Sequence, residues 1–311
     1  MLDTSCQIVF TDGFLSLQES HIPDSIVCLP MDEAMRTYGV FLQNYMARTQ
    51  NPLADQGVFI YIPPKVEVRL SIVHELTQNE LASPRILFSL GKNAQLELQQ
   101  NWDLQGHSVN AHIDAVLDAG SRMVLKNVQK ETDGKLIHNL RASLKRDAHL
   151  TFRLYNEGSL HSRYSVKVQL LEENSEALLQ GLICLDNAAH SHVYTTVEHL
   201  APHTQSRQHF KALLKGKSQT NFEGKIFVHS DAQKTQGYQL CNNLLLSDQA
   251  TVNVKPNLEI FADDVKASHG ATLGQLDEEA LFYLTSRGIS LDDAKQYLIR
   301  GFVQELADCL P

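Results

Sequence analysis

LGKNAQLEL at Leu90–Leu98, LDAGSRMVL at Leu117–Leu125, LKRDAHLTF at Leu144–Phe152 and LEENSEALL at Leu171–Leu179 share one form. Each is a leucine, a polar turn, and then apolar residues at alternate positions, the period of a β-strand with one buried face. The leading leucines stand 27 residues apart each time. Two looser copies, LKGKSQTNF from Leu214 and LSDQATVNV from Leu246, show the motif persisting as the period lengthens. Short strands and polar turns repeating at this interval, with no helical pattern between them, predict a β-solenoid in which each coil lays its apolar face on the next. An antiparallel β-sandwich is the alternative, since it also sets turns at short intervals.

Working outward, the alternation begins at Val58-Phe59-Ile60-Tyr61-Ile62 and continues in Val66-Glu67-Val68-Arg69-Leu70. Before it, Asp32 to Arg48 carries Met35, Tyr38, Phe41, Leu42, Tyr45 and Met46 at helical spacing, and Asn51-Pro52 is expected to end that helix. After Gly274 the pattern is helical again. Asp277 is placed to cap a helix over 278–286, Gly288 sits where a helix end calls for a left-handed residue, and Ser290 with Asp293 resembles a capping box. Leu291, Ala294, Leu298, Phe302 and Leu306 form one apolar stripe on the second helix, which is expected either to cap the last coil or to dock a partner. The expected organisation is mainly β: an N-terminal helical region to residue 56, a right-handed parallel β-helix over 57–273, and a C-terminal helical domain over 274–311. A solenoid leaves edges on its terminal coils that need caps or partners.

Composition narrows the classes. Apolar residues make up 43% of 311, enough for a substantial core. A formal charge of −9 without a Lys/Arg-rich run argues against nucleic-acid binding. The N-terminus lacks the basic-then-apolar pattern of an export signal, and no uninterrupted apolar stretch is long enough to span a membrane. Cys6, Cys28, Cys184, Cys241 and Cys309 are scattered, with no CxxC pair, which suits a reducing cytoplasm.

The stretches NNLLLS, KPNLEIFADDVK, SHGAT and DEEALFYLTSRGI, in order between Asn242 and Ile289, resemble the C-terminal region of the SufB/SufD family, and HTQSRQHFKALLKGKSQTNFEGKIFVHSDAQKT upstream also fits. The resemblance covers at least residues 200–308. It implies a β-helix core that pairs with a SufB-like paralogue, docking of a SufC-like ATPase on the C-terminal helices, and a transient iron-sulfur cluster at a subunit interface. A homodimer when the B-type partner is missing is left open, and no motif shows a flavin site. Glycine after the histidine of SHGAT, where the B type has glutamate, makes the sequence resemble the D type. Within that resemblance His269 is the expected iron or cluster ligand, facing the B subunit, and Cys241 lies near where the B type has a cluster-associated cysteine. Ala267 departs from D-type proteins that carry cysteine there.

Other motifs carry less. Lys215-Gly216-Lys217-Ser218 lacks the earlier glycine of a phosphate loop, because that position is Lys211, so any ATP hydrolysis is expected from another chain. His190 and His192, with His199 and His203 nearby, read as polar positions on an exposed solenoid face rather than a metal site. His74-Glu75 is followed by Gln78, not the histidine of a zincin motif. The expectation is therefore a non-catalytic scaffold. Its rivals are an interaction module that never touches iron and a polysaccharide-acting β-helix enzyme, which should be exported and carry clustered aspartates.

Overall fold

The computed structural model describes residues 6–49, 57–77, 81–130 and 132–311. The chain opens with β1 (Gln7–Thr11), β2 (Phe14–His21), β3 (Val27–Pro30) and α1 (Met31–Thr49), followed by β4 (Val58–Ile62), β5 (Glu67–Glu75), the two-residue β6 (Leu81–Ala82) and β7 (Arg85–Leu90). The coils follow as β8 (Gln95–Trp102), β9 (Ser108–Leu117), β10 (Arg122–Gln129), β11 (Lys135–Leu144), β12 (His149–Asn156), β13 (His161–Leu170) and β14 (Glu176–Leu185). They continue as β15 (His190–His199), β16 (Gln205–Leu214), β17 (Gln219–Val228), β18 (Thr235–Leu245), β19 (Thr251–Ile260) and β20 (Val265–Gly274). Two helices, α2 (Glu278–Ser286) and α3 (Leu291–Val303), and a final 3-10 turn at Gln304–Cys309 close the chain.

The strands alternate between two sheets, ordered β2-β1-β5-β8-β10-β12-β14-β16-β18-β20 and β19-β17-β15-β13-β11-β9-β7-β4-β3. The result is a parallel β-solenoid of about 7 turns, as the repeat predicts. Alternation decides the faces: in β13, Ser162, Tyr164, Val166, Val168 and Leu170 are buried and point inward, while the residues between them face out. Stacking sets like upon like, so Leu90, Leu117, Leu144 and Leu170 form one continuous interior column.

That column corrects the repeat at one point. The fourth motif leucine, Leu171, is not in the ladder; Leu170 pairs with Leu144, and Leu171 is 38% exposed. The spacing of 27 there belongs to the corner, not the strand. Asn93, Gly120, Asp147 and Asn174 all hold positive φ at the same turn position, which Asn, Asp and Gly tolerate better than other residues. One residue fewer in the strand step is offset by one more in the corner, and Leu171 is that extra residue. The looser copies at Leu214 and Leu246 lie at the opposite edge, where the chain crosses from β16 to β17 and from β18 to β19, and there Leu245 rather than Leu246 stacks on Leu214.

The N-terminal region differs from a purely helical one. β1 adds parallel to β5 and forms a hairpin with β2, and β3 pairs antiparallel with β4, so both sheets gain their end strands from this segment. The helix expected over Asp32–Arg48 is present as α1, with Met31, Ala34 and Leu42 packed on Phe59 and Leu87. The expected stop at Asn51-Pro52 lies outside the described residues.

Asp277 caps α2 by accepting from the N–H groups of Glu279 and Ala280, and Ser290 caps α3 by accepting from the Asp293 N–H. These helices do not cap the last coil. The alternation breaks on the outer face of the first sheet, where Val128, Tyr155 and Leu182 form an apolar strip, and Leu306 and Cys309 pack on it. Lys211 Nζ fixes the join by donating to the Phe302 carbonyl at 2.7 Å and pairing with Glu305 at 2.7 Å. The helical tail therefore runs back along the side of the solenoid and leaves its end uncovered.

Candidate functional site

The uncovered end consists of β19 and β20, each the last strand of its sheet. The inward residues of β20 are those in register with the buried positions of β18: Val265, Ala267, His269, Ala271 and Leu273 pair with Thr235, Gly237, Gln239, Cys241 and Asn243. His269 thus occupies an interior position on a coil with nothing above it, and its ring is exposed. Leu273, next but one, is 60% exposed, and Phe261 at the corner before β20 is 62% exposed.

The column beneath His269 changes character along the solenoid. It runs Leu70, Leu98, Leu125, Phe152 and Leu179, and then becomes polar as Gln208, Gln239 and His269. Gln239 Nε2 donates to Gln208 Oε1 at 3.1 Å, and Thr195 Oγ1 donates to the same oxygen at 2.5 Å from the opposite sheet. Gly224 makes this possible, since a Cβ there would lie 1.5 Å from Gln239 Nε2. Neither Gln208 nor Gln239 was singled out from sequence; the available signal was glutamine in the inward phase of two consecutive strands of one sheet, legible only once the register is known.

Cys241 is the diagonal inward neighbour of His269, one strand below and one inward position along. Its thiol is buried, contacts the Asn243 side chain, and burial pushes its pKa up to about 12. Burial of this kind favours the protonated thiol over the thiolate. Among the described residues no three His, Cys, Asp or Glu side chains converge to hold a metal ion. At the end of the solenoid the His269 imidazole is accessible.

The other histidines divide by face. His190 and His192 lie half-buried on the outer face, where His192 contacts the Tyr194 hydroxyl and the Asn221 amide. His203 is an exposed corner residue at φ 59°. His199, expected on the exposed face, is instead fully buried on the inward face, bonded to the Thr204 and Ser206 hydroxyls at 2.8 Å each, and burial lowers its pKa to about 4. It stacks on Leu170, so a polar residue has entered the leucine column. His74, weighed from sequence only as a zincin histidine, and His138, not singled out there, sit in a second interior cluster: His74 stacks on Trp102 at 4.0 Å between ring centroids, and burial lowers both pKa values to about 3. Lys215-Gly216-Lys217-Ser218 is the corner between β16 and β17, with no phosphate cradle.

No helix among the described residues is long and apolar enough to cross a membrane, and no disulfide joins the described cysteines.

The chain is 27% identical to an iron-sulfur cluster assembly SufBD family protein of Synechocystis over 98% of this chain and 74% of that protein. It is 42% identical to the iron-sulfur cluster assembly protein SufD of Escherichia coli, over 48% of this chain and 35% of that protein. A chloroplastic protein of Arabidopsis thaliana, ABCI7, is 28% identical over 97% of this chain and 70% of its own length. The family model described as SUF system FeS cluster assembly, SufBD core domain, matches residues 73–302, most of the solenoid and both C-terminal helices, and the chain belongs to that family.

Proposed function

We propose that this chain is a D-type scaffold subunit for iron-sulfur cluster assembly, that a B-type paralogue covers its open end, and that His269 supplies an iron or cluster ligand at that junction. The observation that carries the reading is the position of His269: an exposed imidazole on the interior face of the last coil, beside apolar residues that lack a covering layer. Imidazole is a competent ligand for iron in a cluster. A cluster bound through one imidazole from this side, with the remaining ligands from the partner, is held across an interface and can be released when the interface changes. Cys241 remains a core thiol on this reading, because its burial and raised pKa oppose the thiolate. The chain itself scaffolds; ATP hydrolysis belongs to a separate ATPase of the C type, for which α2 and α3 offer the exposed Phe282, Tyr283 and Tyr297.

The test is anaerobic co-expression with B-type and C-type partners, comparing the native chain with His269→Ala. The expected result is an intact complex that has lost most of its iron and sulfide. An intact complex with unchanged iron and sulfide refutes the assignment of His269 and leaves a structural subunit.

A further inference from the structure

The amide ladder under His269 has a direction. The Lys225 carbonyl can only accept, and Gln208 Nε2 donates to it at 3.4 Å, which turns Gln208 Oε1 toward Gln239. Gln208 Oε1 in turn receives Gln239 Nε2, so the orientation of the first amide determines that of the second. What remains is Gln239 Oε1, a buried acceptor with no hydrogen-bond partner. The side chain next in that column is His269, in register on the adjacent strand, on the same interior face, and without a hydrogen bond of its own among the described residues. Neighbouring strands lie about 4.8 Å apart, within reach of two such side chains. A buried polar atom left unpaired is costly; with Gln208 Nε2 committed to the Lys225 carbonyl, the His269 ring N–H is the donor in the column left to satisfy it.

We infer that Gln239 is a positioning residue for His269: its Oε1 accepts the ring N–H, which selects one tautomer and directs the other nitrogen's lone pair out of the open end. A ligating histidine held by its second nitrogen is oriented and made more basic in the same way. Gly224 belongs to the device, because only a residue without a Cβ leaves room for the Gln239 amide. The inference rests on the proposed role of His269 for its purpose but not for its test.

The experiment is nitrogen-15 NMR of histidine-labelled full-length protein, with His269 assigned by the signal lost in His269→Gln. The native chain is expected to show one dominant neutral tautomer at His269. Gln239→Leu, which places in this column the residue type already found at Leu125 and Leu179, is expected to change the tautomer ratio roughly fivefold or more, the factor expected for one net hydrogen bond. Should that variant fold poorly by circular dichroism, Gly224→Ala displaces the same amide and is expected to move the ratio in the same direction. A ratio unchanged by both variants overturns the inference. Cluster content measured in parallel separates the two claims: loss in His269→Ala with an unmoved tautomer refutes Gln239 alone, whereas a moved tautomer with full cluster content in His269→Ala sustains Gln239 and refutes the proposed ligand.

Discussion

The two ends of the solenoid are built on opposite plans. At the first end, β1 folds back on β2 and β3 folds back on β4, so an antiparallel strand ends each sheet, while α1 covers the outer face at Phe59 and Leu87. At the other end β19 and β20 stop with inward residues only half-buried, as at Val252 and Val254, or exposed, as at His269 and Leu273, and the helices that follow turn away along the side. The same coil geometry thus yields a self-contained end and an unfinished one. The difference teaches that the middle coils bury their inward residues on both sides, while the last coil buries them on one side only.

The largest expected contrast is in core packing. Phe152→Ala, in the fully buried middle of the column that ends at His269, should cost about 3–5 kcal/mol in urea unfolding. Leu273→Ala at the open end should cost under about 1 kcal/mol in the isolated chain, since most of that side chain is already in water. Equal costs would break the comparison, because they would mean that the chain covers its own end. One step smaller, Leu170→Ala should cost about 2–5 kcal/mol and Leu171→Ala a few tenths, which tests the register directly. If Leu171 proved the costly one, the ladder of β11 on β13 would be wrong.

Acid should sharpen the contrast further. Burial holds the His199 pKa near 4, below the ordinary 6.5, so the unfolded chain takes up the proton first. Its contribution is therefore fully present above about pH 6.5 and is lost as pH falls toward 4, on the order of 3 kcal/mol for His199 alone. Urea midpoints between pH 7 and 4 should fall, and His199→Leu, matching Leu170 below it, should flatten that dependence. His74 and His138 add to the loss with the same sign. His269→Ala should cost about 1 kcal/mol, the one hydrogen bond to Gln239, because the exposed ring on the last strand buries little else. A larger loss would place His269 in the folding core rather than at an unfinished surface.

Much of this architecture was legible in the residues. Alternation in segments such as Val66–Leu70, the repeated leucine-turn unit, and the caps at Asp277 and Ser290 rest on local chemistry, and all appear where expected. The N-terminal strands were passed over because Gln7–Thr11 and Val27–Pro30 are too short to show a period; their identity comes from the strands beside them. The helical tail was expected either to cap the last coil or to dock a partner, and its seat required knowing that Val128, Tyr155 and Leu182, far apart in sequence, share one outer strip. For the site, the motifs pointed to His269 and Cys241, but not to which face each occupies.

By itself, then, the sequence determined the β-solenoid, its coil period and its terminal helices, because strand alternation, turn residues and helix caps act over a few positions. Only the tertiary structure decided that His199 is interior, that the helices lie along the side, and that His269 stands on a ladder of glutamines at an open end. Those facts depend on register between strands about thirty residues apart, and one residue gained or lost at a corner turns an outward side chain inward.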